Sequence, residues 1–137
     1  MNKSVVGWVV AGLAVLCVAS VAPGGTEADY KALFGEEEQK VVAGADAKAA
    51  GAFAVKLLDA AKTVGGQKDL QSLLCEKAYQ FGKKDPSGYA AAIEAMKLQM
   101  EAVPDKKAQA QDRLLEVTGL QYAKSAGAER VRLGQEL

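Results

Sequence analysis

Two stretches decide the predicted fold: DLQSLLCEKAYQFG at residues 69–82 and, after a short turn, GYAAAIEAMKLQMEAVP at residues 88–104. In each stretch apolar side chains recur at intervals of three and four residues, which is the pattern of an amphipathic helix. Pro86 lies between the two stretches and disfavours a helical conformation of the residue before it, Asp85. The two stretches therefore predict a pair of antiparallel helices joined by a turn.

Three more helices are predicted, two before this pair and one after it. Their apolar positions are Tyr30, Leu33, Phe34, Val41 and Val42 in the first helix, Ala50, Phe53, Ala54, Leu57, Leu58 and Ala61 in the second, and Ala108, Leu114, Leu115 and Tyr122 in the fifth. N-terminal capping side chains are predicted at Thr26, Asp46, Asp69 and Asp105. The first two helices are predicted to end near Gly44 and Gly65. A short sixth segment, 128–137, follows.

Composition limits both the size and the chemistry of the protein. The 137 residues allow one ordinary domain besides a targeting segment. The 17 basic and 17 acidic residues balance, so the chain lacks the positive excess that nucleic-acid-binding domains carry. Histidine is absent, which removes the commonest general base and the commonest transition-metal ligand. We therefore predict no catalytic residue, no cofactor-binding residue and no metal site.

The N-terminus has the composition of an export signal. Lys3 precedes an uncharged apolar run, and small residues follow at Ala19, Ser20 and Ala22. We predict a signal peptide at 1–22, a linker at 23–28, a helical-hairpin domain at 29–126 and a C-terminal stub at 127–137. The expected location is periplasmic or secreted. The alternative is an uncleaved helix that anchors the protein to a membrane through residues 5–22, which is at the short limit for a span.

Cysteine usage predicts a mature protein without an internal disulfide bond. The chain has two cysteines, and Cys17 lies in the predicted export segment. Cys75 lies beside the apolar face of the third helix and is predicted to be a small, half-buried side chain. The alternative is an intermolecular disulfide through Cys75, because an unpaired cysteine in an exported protein can bond to another chain.

Weak internal similarity suggests that the helix pair is repeated. When the chain is aligned with itself so that Leu33 meets Leu73, Phe34 meets Leu74. A second alignment places Leu73 and Leu74 on Leu114 and Leu115. Self-similarity at such a period is typical of helical-hairpin solenoids. Alanine-rich helices of equal length also align by coincidence, so a closed helical bundle remains the alternative architecture.

The second helix of the pair resembles that of a tetratricopeptide repeat. The resemblance rests on Gly88-Tyr89, Ala92-Ile93, Met96, Met100 and Pro104, together with Ala78-Tyr79 in the preceding helix. It covers little more than this one helix pair, whereas the Trp-Leu-Gly signature of the family's first helix is absent and Gln99 stands where the family usually has alanine. The resemblance implies an all-α solenoid that acts as a scaffold for protein interactions, and it assigns no binding residue to this chain.

Several clusters of side chains are candidates for functional sites. Consecutive carboxylates at 36–38 point about 100° apart on a helix and therefore cannot converge on one ligand. Met96 and Met100 are predicted to pack in the core rather than bind copper. The lysine pairs at 83–84 and 106–107 are predicted to be solvated turns, with a weak anion-docking point as the alternative. A catalytic pair among Asp59, Glu76 and Glu94 would need two of these carboxylates to share a cleft.

The sequence favours an exported, non-catalytic interaction or scaffold module built from helix pairs. Its expected partner is a protein or a peptide, and it is not expected to bind nucleic acid. The alternative function is that of a membrane-tethered structural domain that keeps its N-terminal helix.

Overall fold

The computed structural model describes residues 25–125 and, beyond them, Arg132, Gly134 and Gln135. This part of the chain is all-helical and contains no strand, which confirms the all-α part of the predicted fold. Its five α-helices are α1 (Thr26–Gly44), α2 (Ala47–Thr63), α3 (Lys68–Gly82), α4 (Tyr89–Ala102) and α5 (Lys107–Lys124). Short 3-10 turns at Pro86–Gly88 and Pro104–Lys106 precede α4 and α5. The predicted signal segment 1–22 and most of the stub 127–137 lie outside the described residues.

No helix within residues 25–125 has both the length and the hydropathy that crossing a bilayer requires.

One of the four predicted N-terminal caps is confirmed. Asp46 precedes α2, and its Oδ1 accepts a hydrogen bond of 2.9 Å from the backbone N–H of Lys48. Such a contact satisfies one of the amide groups that the first turn of a helix leaves without an internal partner.

The other three caps are wrong by one or two residues. Thr26 is the first residue of α1 rather than its cap, and Asp69 is the second residue of α3. Asp105 lies in the 3-10 turn that precedes α5. Asp69 still occupies a first helical turn, where a carboxylate interacts favourably with the helix dipole. A residue type that favours helix N-termini was therefore present near the start of each of these helices, but one or two residues away from the cap position.

The helices pack in the order in which they occur in the chain. Among the described residues, α2 packs on α3, α3 on α4 and α4 on α5. Each of α1 and α2 also contacts the helix after next, α3 and α4 respectively. Within the described residues, α1 and α5 consequently have the fewest helices packed against them.

The predicted core is confirmed in α2 and is wrong in part at both ends. All six predicted apolar positions of α2 are buried. In α1, by contrast, Leu33 and Val42 are 60% and 59% exposed, and Tyr30 is the buried residue. In α5, Leu115 is 51% exposed, and the buried residues are Ala110 and Val117. The terminal helices therefore bury a narrower face than their sequences indicate.

Aromatic rings connect the first three helices. The ring centroids of Tyr30 and Phe34 lie 5.8 Å apart, those of Phe34 and Phe53 lie 6.4 Å apart, and those of Phe53 and Phe81 lie 5.0 Å apart. The last two contacts are edge-to-face, the geometry that the charge distribution of aromatic rings favours. This row attaches α1 to the core, although α1 leaves much of its own surface exposed.

Three glycines allow α2, α3 and the turn before α4 to meet at backbone contact. A Cβ atom on Gly88 would lie 2.6 Å from the carbonyl oxygen of Gly82 and 2.9 Å from the Cα of Gly51. A Cβ on Gly82 would lie 2.7 Å from the carbonyl oxygen of Gly88. Any larger residue at this junction would push the helices apart, so the three glycines set how closely the helices approach.

Candidate functional site

A groove of about 290 Å³ lies between the first turn of α1, the side of α3 and the link from α4 to α5. We call it the α1/α3 groove. The side chains that line it are Thr26, Glu27, Asp69, Ser72, Leu73, Glu76, Val103 and Lys106. A second hollow of about 300 Å³ adjoins it and shares Thr26 and Asp69 with it. Three separate segments of the chain thus line the α1/α3 groove.

A buried amide connects two lining residues of the groove to α4. The Nε2 group of Gln99 donates to the hydroxyl of Ser72 at 3.0 Å and to the backbone carbonyl of Ser72 at 3.3 Å. It also lies 3.4 Å from a carboxylate oxygen of Glu76. All three partners are acceptors, which fixes the orientation of the amide. The Oε1 atom of Gln99 is buried without a hydrogen-bond partner among the described residues.

Glu76 joins α3 to the last helix. Its Oε1 accepts a hydrogen bond of 2.8 Å from Lys106 Nζ and lies 3.8 Å from the Arg113 guanidinium. The Glu76 side chain is half-buried, so these contacts are less screened than those of an exposed ion pair. Glu76 therefore contributes a neutralised, well-positioned wall to the groove.

The rim of the groove carries carboxylates that no described cation neutralises. Within residues 25–125, 132, 134 and 135, neither Glu27 nor Asp69 takes part in an ion pair. Leu73 and Val103 supply apolar surface beside them. The groove can therefore accept a chain segment that brings both a positive charge and aliphatic side chains.

A second polar network ties α3 to α5 beyond the groove. Tyr79 donates a hydrogen bond to Glu116, and Lys83 Nζ lies 3.2 Å from both the Tyr79 hydroxyl and Glu116. The hydrogen bond from Tyr79, followed by that from Lys83, holds the pKa of Glu116 below its usual value. The Arg113 guanidinium lies over the Tyr79 ring at 5.2 Å. These contacts stabilise the packing of the two helices that flank α4.

The other sequence clusters are separated or used internally. Glu36, Glu37 and Glu38 each bind a different lysine, namely Lys40, Lys56 and Lys77. Met96 is fully buried and Met100 is half-buried against the core, as the packing interpretation expected.

The lysine turns and the candidate carboxylates are likewise engaged elsewhere. Lys83 and Lys106 belong to the two networks above, Lys83 through Tyr79 and Glu116, and Lys106 through Glu76. Glu94 binds Lys62 at 3.3 Å, whereas Glu76 binds Lys106. The structure thus gives these two carboxylates different cations, Lys62 in α2 and Lys106 in the turn before α5. No group of three or more acidic or sulfur ligands that could hold a metal occurs among the described residues.

Cys75 lies deeper than the sequence predicted. Its side chain is 0% exposed and forms no disulfide bond within the described residues. Burial, with a smaller contribution from Glu76, raises the pKa of the thiol to about 12. The alternative of an intermolecular disulfide would require Cys75 to leave this core.

We expect Cys75 in the folded protein to resist thiol reagents at pH 8, because the thiolate is the reactive form and is both buried and disfavoured. A Cys17→Ser variant leaves Cys75 as the single thiol. Its reaction with a chromogenic disulfide reagent should be slow in buffer and rapid in guanidinium chloride. Since the unfolded thiol loses its proton near its ordinary pKa of 9.0, stability should fall as pH rises from 9 towards 12. Equal reaction rates in the folded and unfolded protein would contradict this burial.

No protein-family model, curated protein or solved structure matches this chain.

Proposed function

We propose that the protein is an exported interaction module, without catalytic activity of its own, whose helix pairs are similar to tetratricopeptide repeats. Its partner is a protein or peptide segment that lies in the α1/α3 groove. The observation that carries the proposal is this groove, which three segments of the chain build together and whose rim carboxylates, Glu27 and Asp69, form no ion pair among the described residues.

The pattern of burial supports the repeat. The buried positions of α2 are Ala50, Gly51, Phe53, Ala54, Leu57, Leu58 and Ala61. When Ala50 is aligned with Gly88, each matching position towards the end of α4 is also buried: Gly88, Tyr89, Ala91, Ala92, Ala95, Met96 and Gln99. In addition, α1 contacts α3 and α2 contacts α4, as alternate helices do in a stacked array of hairpins.

The chemistry of the groove supports a peptide partner with cationic character. Glu27 and Asp69 at the rim would gain from a Lys or Arg side chain, because an opposite charge within a few ångströms favours the ionised carboxylate. Leu73 and Val103 provide the apolar area that anchors a peptide. An extended segment can satisfy both requirements with side chains two residues apart, because these lie on the same face of an extended chain.

Site-specific photocrosslinking in the native host tests the proposal. A photoreactive residue in place of Leu73 should form a discrete adduct, whereas the same residue at the exposed position of Ala52 on α2 should not. The intact mass of the uncrosslinked protein, expected to begin near Val21 or Gly25, tests the export.

The charge of the rim supplies the matched control. Glu27→Lys combined with Asp69→Lys should abolish the adduct at position 73. Asp59→Lys, which changes an exposed acid on α2, should leave it unchanged. An adduct that is indifferent to both changes would separate partner binding from the groove.

A further inference from the structure

One wall of the α1/α3 groove is a face of α3 on which two carboxylates flank an aliphatic side chain. Asp69, Leu73 and Glu76 line the groove at intervals of four and three residues, which places them on the same side of the helix. The backbone positions of the two acids lie about 10.5 Å apart along the helix axis. The wall therefore presents an acid, an apolar residue and a second acid in a row.

A cation of the chain itself occupies the Glu76 end of this wall. Lys106 lines the groove, and its Nζ donates to Oε1 of Glu76 at 2.8 Å. The Lys106 side chain is 41% exposed and belongs to the short 3-10 turn before α5. At the other end, Asp69 forms no ion pair among the described residues. The structure thus shows that the Glu76 end accommodates an ammonium group.

The surroundings of Glu76 favour a bound cation more than those of an exposed carboxylate. Its side chain is 22% exposed, and the amide of the fully buried Gln99 approaches the same oxygen at 3.4 Å. No described residue donates a hydrogen bond to Oε2 of Glu76, so the carboxylate keeps capacity to accept. A cationic side chain that reaches Glu76 from the groove gains a contact that solvent screens less than a contact at the rim.

We propose that the partner is an extended segment with two cationic residues four positions apart and an aliphatic residue midway between them, and that one of these cations displaces Lys106 from Glu76. This inference rests on the proposed function, because it assigns the partner of the same groove. In an extended chain the three side chains lie on one face, with the outer two about 13 Å apart. The long side chains of Lys and Arg can bend inwards to acids about 10.5 Å apart while the aliphatic side chain meets Leu73.

Other spacings of the two cations fit this wall less well. Cations two positions apart would be separated by about 7 Å and would leave no place between them for an aliphatic side chain on the same face. Adjacent cations would point to opposite faces of the extended chain, so only one of them could enter the groove.

Lys106 has to leave Glu76 because two ammonium groups on one carboxylate repel each other. Its partly exposed side chain, on a turn rather than inside a helix, can move into solvent without disturbing the packing of α3 on α4. Lys106 is therefore an internal competitor of the partner, and its removal should strengthen binding.

Two synthetic peptides with blocked ends test the inference on the full-length chain. The spaced peptide is Ala-Lys-Ala-Leu-Ala-Lys-Ala, and the adjacent peptide, Ala-Lys-Lys-Leu-Ala-Ala-Ala, has the same composition and charge. In nuclear magnetic resonance titrations at low salt, we expect the parent protein to bind the spaced peptide at least threefold more tightly. Lys106→Met should raise the affinity for the spaced peptide about tenfold and leave that for the adjacent peptide within twofold.

Lys107→Met is the matched control, because it removes the same charge from the next residue, which is exposed at the start of α5. This variant should bind both peptides within twofold of the parent protein. Circular dichroism checks that the variants are folded, and the preference of the parent protein for the spaced peptide depends on no variant.

Equal affinities of the parent protein for the two peptides, or no binding of either, would overturn the proposed motif. Equal gains from the two lysine variants, or a gain for both peptides, would overturn the displacement of Lys106 in favour of general electrostatic attraction. The crosslink at position 73 decides the proposed function separately. An adduct in the host without a peptide preference would overturn this inference alone, whereas a peptide preference without an adduct would support it and contradict the proposed function.

Discussion

Replacing Gly88 by alanine is expected to lower the free energy of unfolding by about 3 kcal/mol, at the upper end of the usual cost of overpacking. The added Cβ would meet the carbonyl oxygen of Gly82 at 2.6 Å, its Cα at 2.7 Å and the Cα of Gly51 at 2.9 Å. All three are backbone atoms, so no side chain can rotate to relieve the clash. Chemical denaturation followed by circular dichroism measures the change.

Gly35→Ala is the control for the effect of alanine itself. Gly35 lies inside α1, and the nearest atom to an added Cβ there is Cβ of Lys31 at an ordinary 3.6 Å. Alanine should therefore stabilise the protein at this position, by up to about 1 kcal/mol, because it favours the helix more than glycine does. Similar losses in the two variants would show that the three glycines do not set the approach of the helices.

Gln99→Glu is expected to cost about 3 kcal/mol at neutral pH, through a buried carboxylate that no cation fully compensates. Gln99 is fully buried, and its amide donates to Ser72 and approaches Glu76 at 3.4 Å. An ionised carboxylate has no proton to donate and would repel Glu76. Its pKa in the folded variant would be raised above the unfolded value, so the loss should diminish as pH falls and the group takes up a proton.

Gln80→Glu provides the comparison, since Gln80 is exposed on α3, the helix that carries Glu76. This variant should unfold within about 0.5 kcal/mol of the parent protein, as surface substitutions usually do. Denaturation curves at pH 4 and pH 7 then separate two parts of the stability loss. One part depends on the charge of the buried carboxylate, and the other remains when the carboxylate is protonated. A Gln99→Glu variant whose deficit does not shrink on acidification would contradict the assigned role of the buried amide.

The central helices were predictable because they are packed on several sides. In α2 every apolar position of the predicted core has a neighbour to pack against, so periodicity and burial coincide. In α1 and α5 one face has no described neighbour, and periodicity alone could not distinguish it from the packed face. This is why Leu33 and Leu115 were predicted in the core but are exposed.

The register in which the burial of α2 recurs in α4 was also beyond sequence comparison. The alignment that places Leu33 on Leu73 also places Ala50 on Ala90 and Ala52 on Ala92, yet each alanine pair has one buried and one exposed member. The burial of α2 recurs in α4 only when Ala50 is matched with Gly88 instead. Alanine is small enough for either face of a helix, so alignment of alanines carries little information about which face is packed.

The candidate groove could not be assembled from the sequence, because its walls come from distant segments. Gln99 was noticeable as a departure from the tetratricopeptide pattern, which is the signal that could have identified it. Its partner Ser72 lies 27 residues earlier, and Lys106 binds Glu76 across 30 residues. Side chains at such separations meet only through the packing angles of the helices, which the three-glycine junction controls.

Packing in chain order has a consequence for how the protein forms and comes apart. Because the helices contact their near neighbours in sequence, the entropy lost in closing loops is small, and folding should be fast for a domain of this size. Assembly can begin at the central pair, α3 and α4, and extend outwards to the helices that pack on it. Under a pulling force applied at the two termini, the helices would therefore separate from the structure one at a time, starting at the ends. The contact at the glycine junction would be the last to separate.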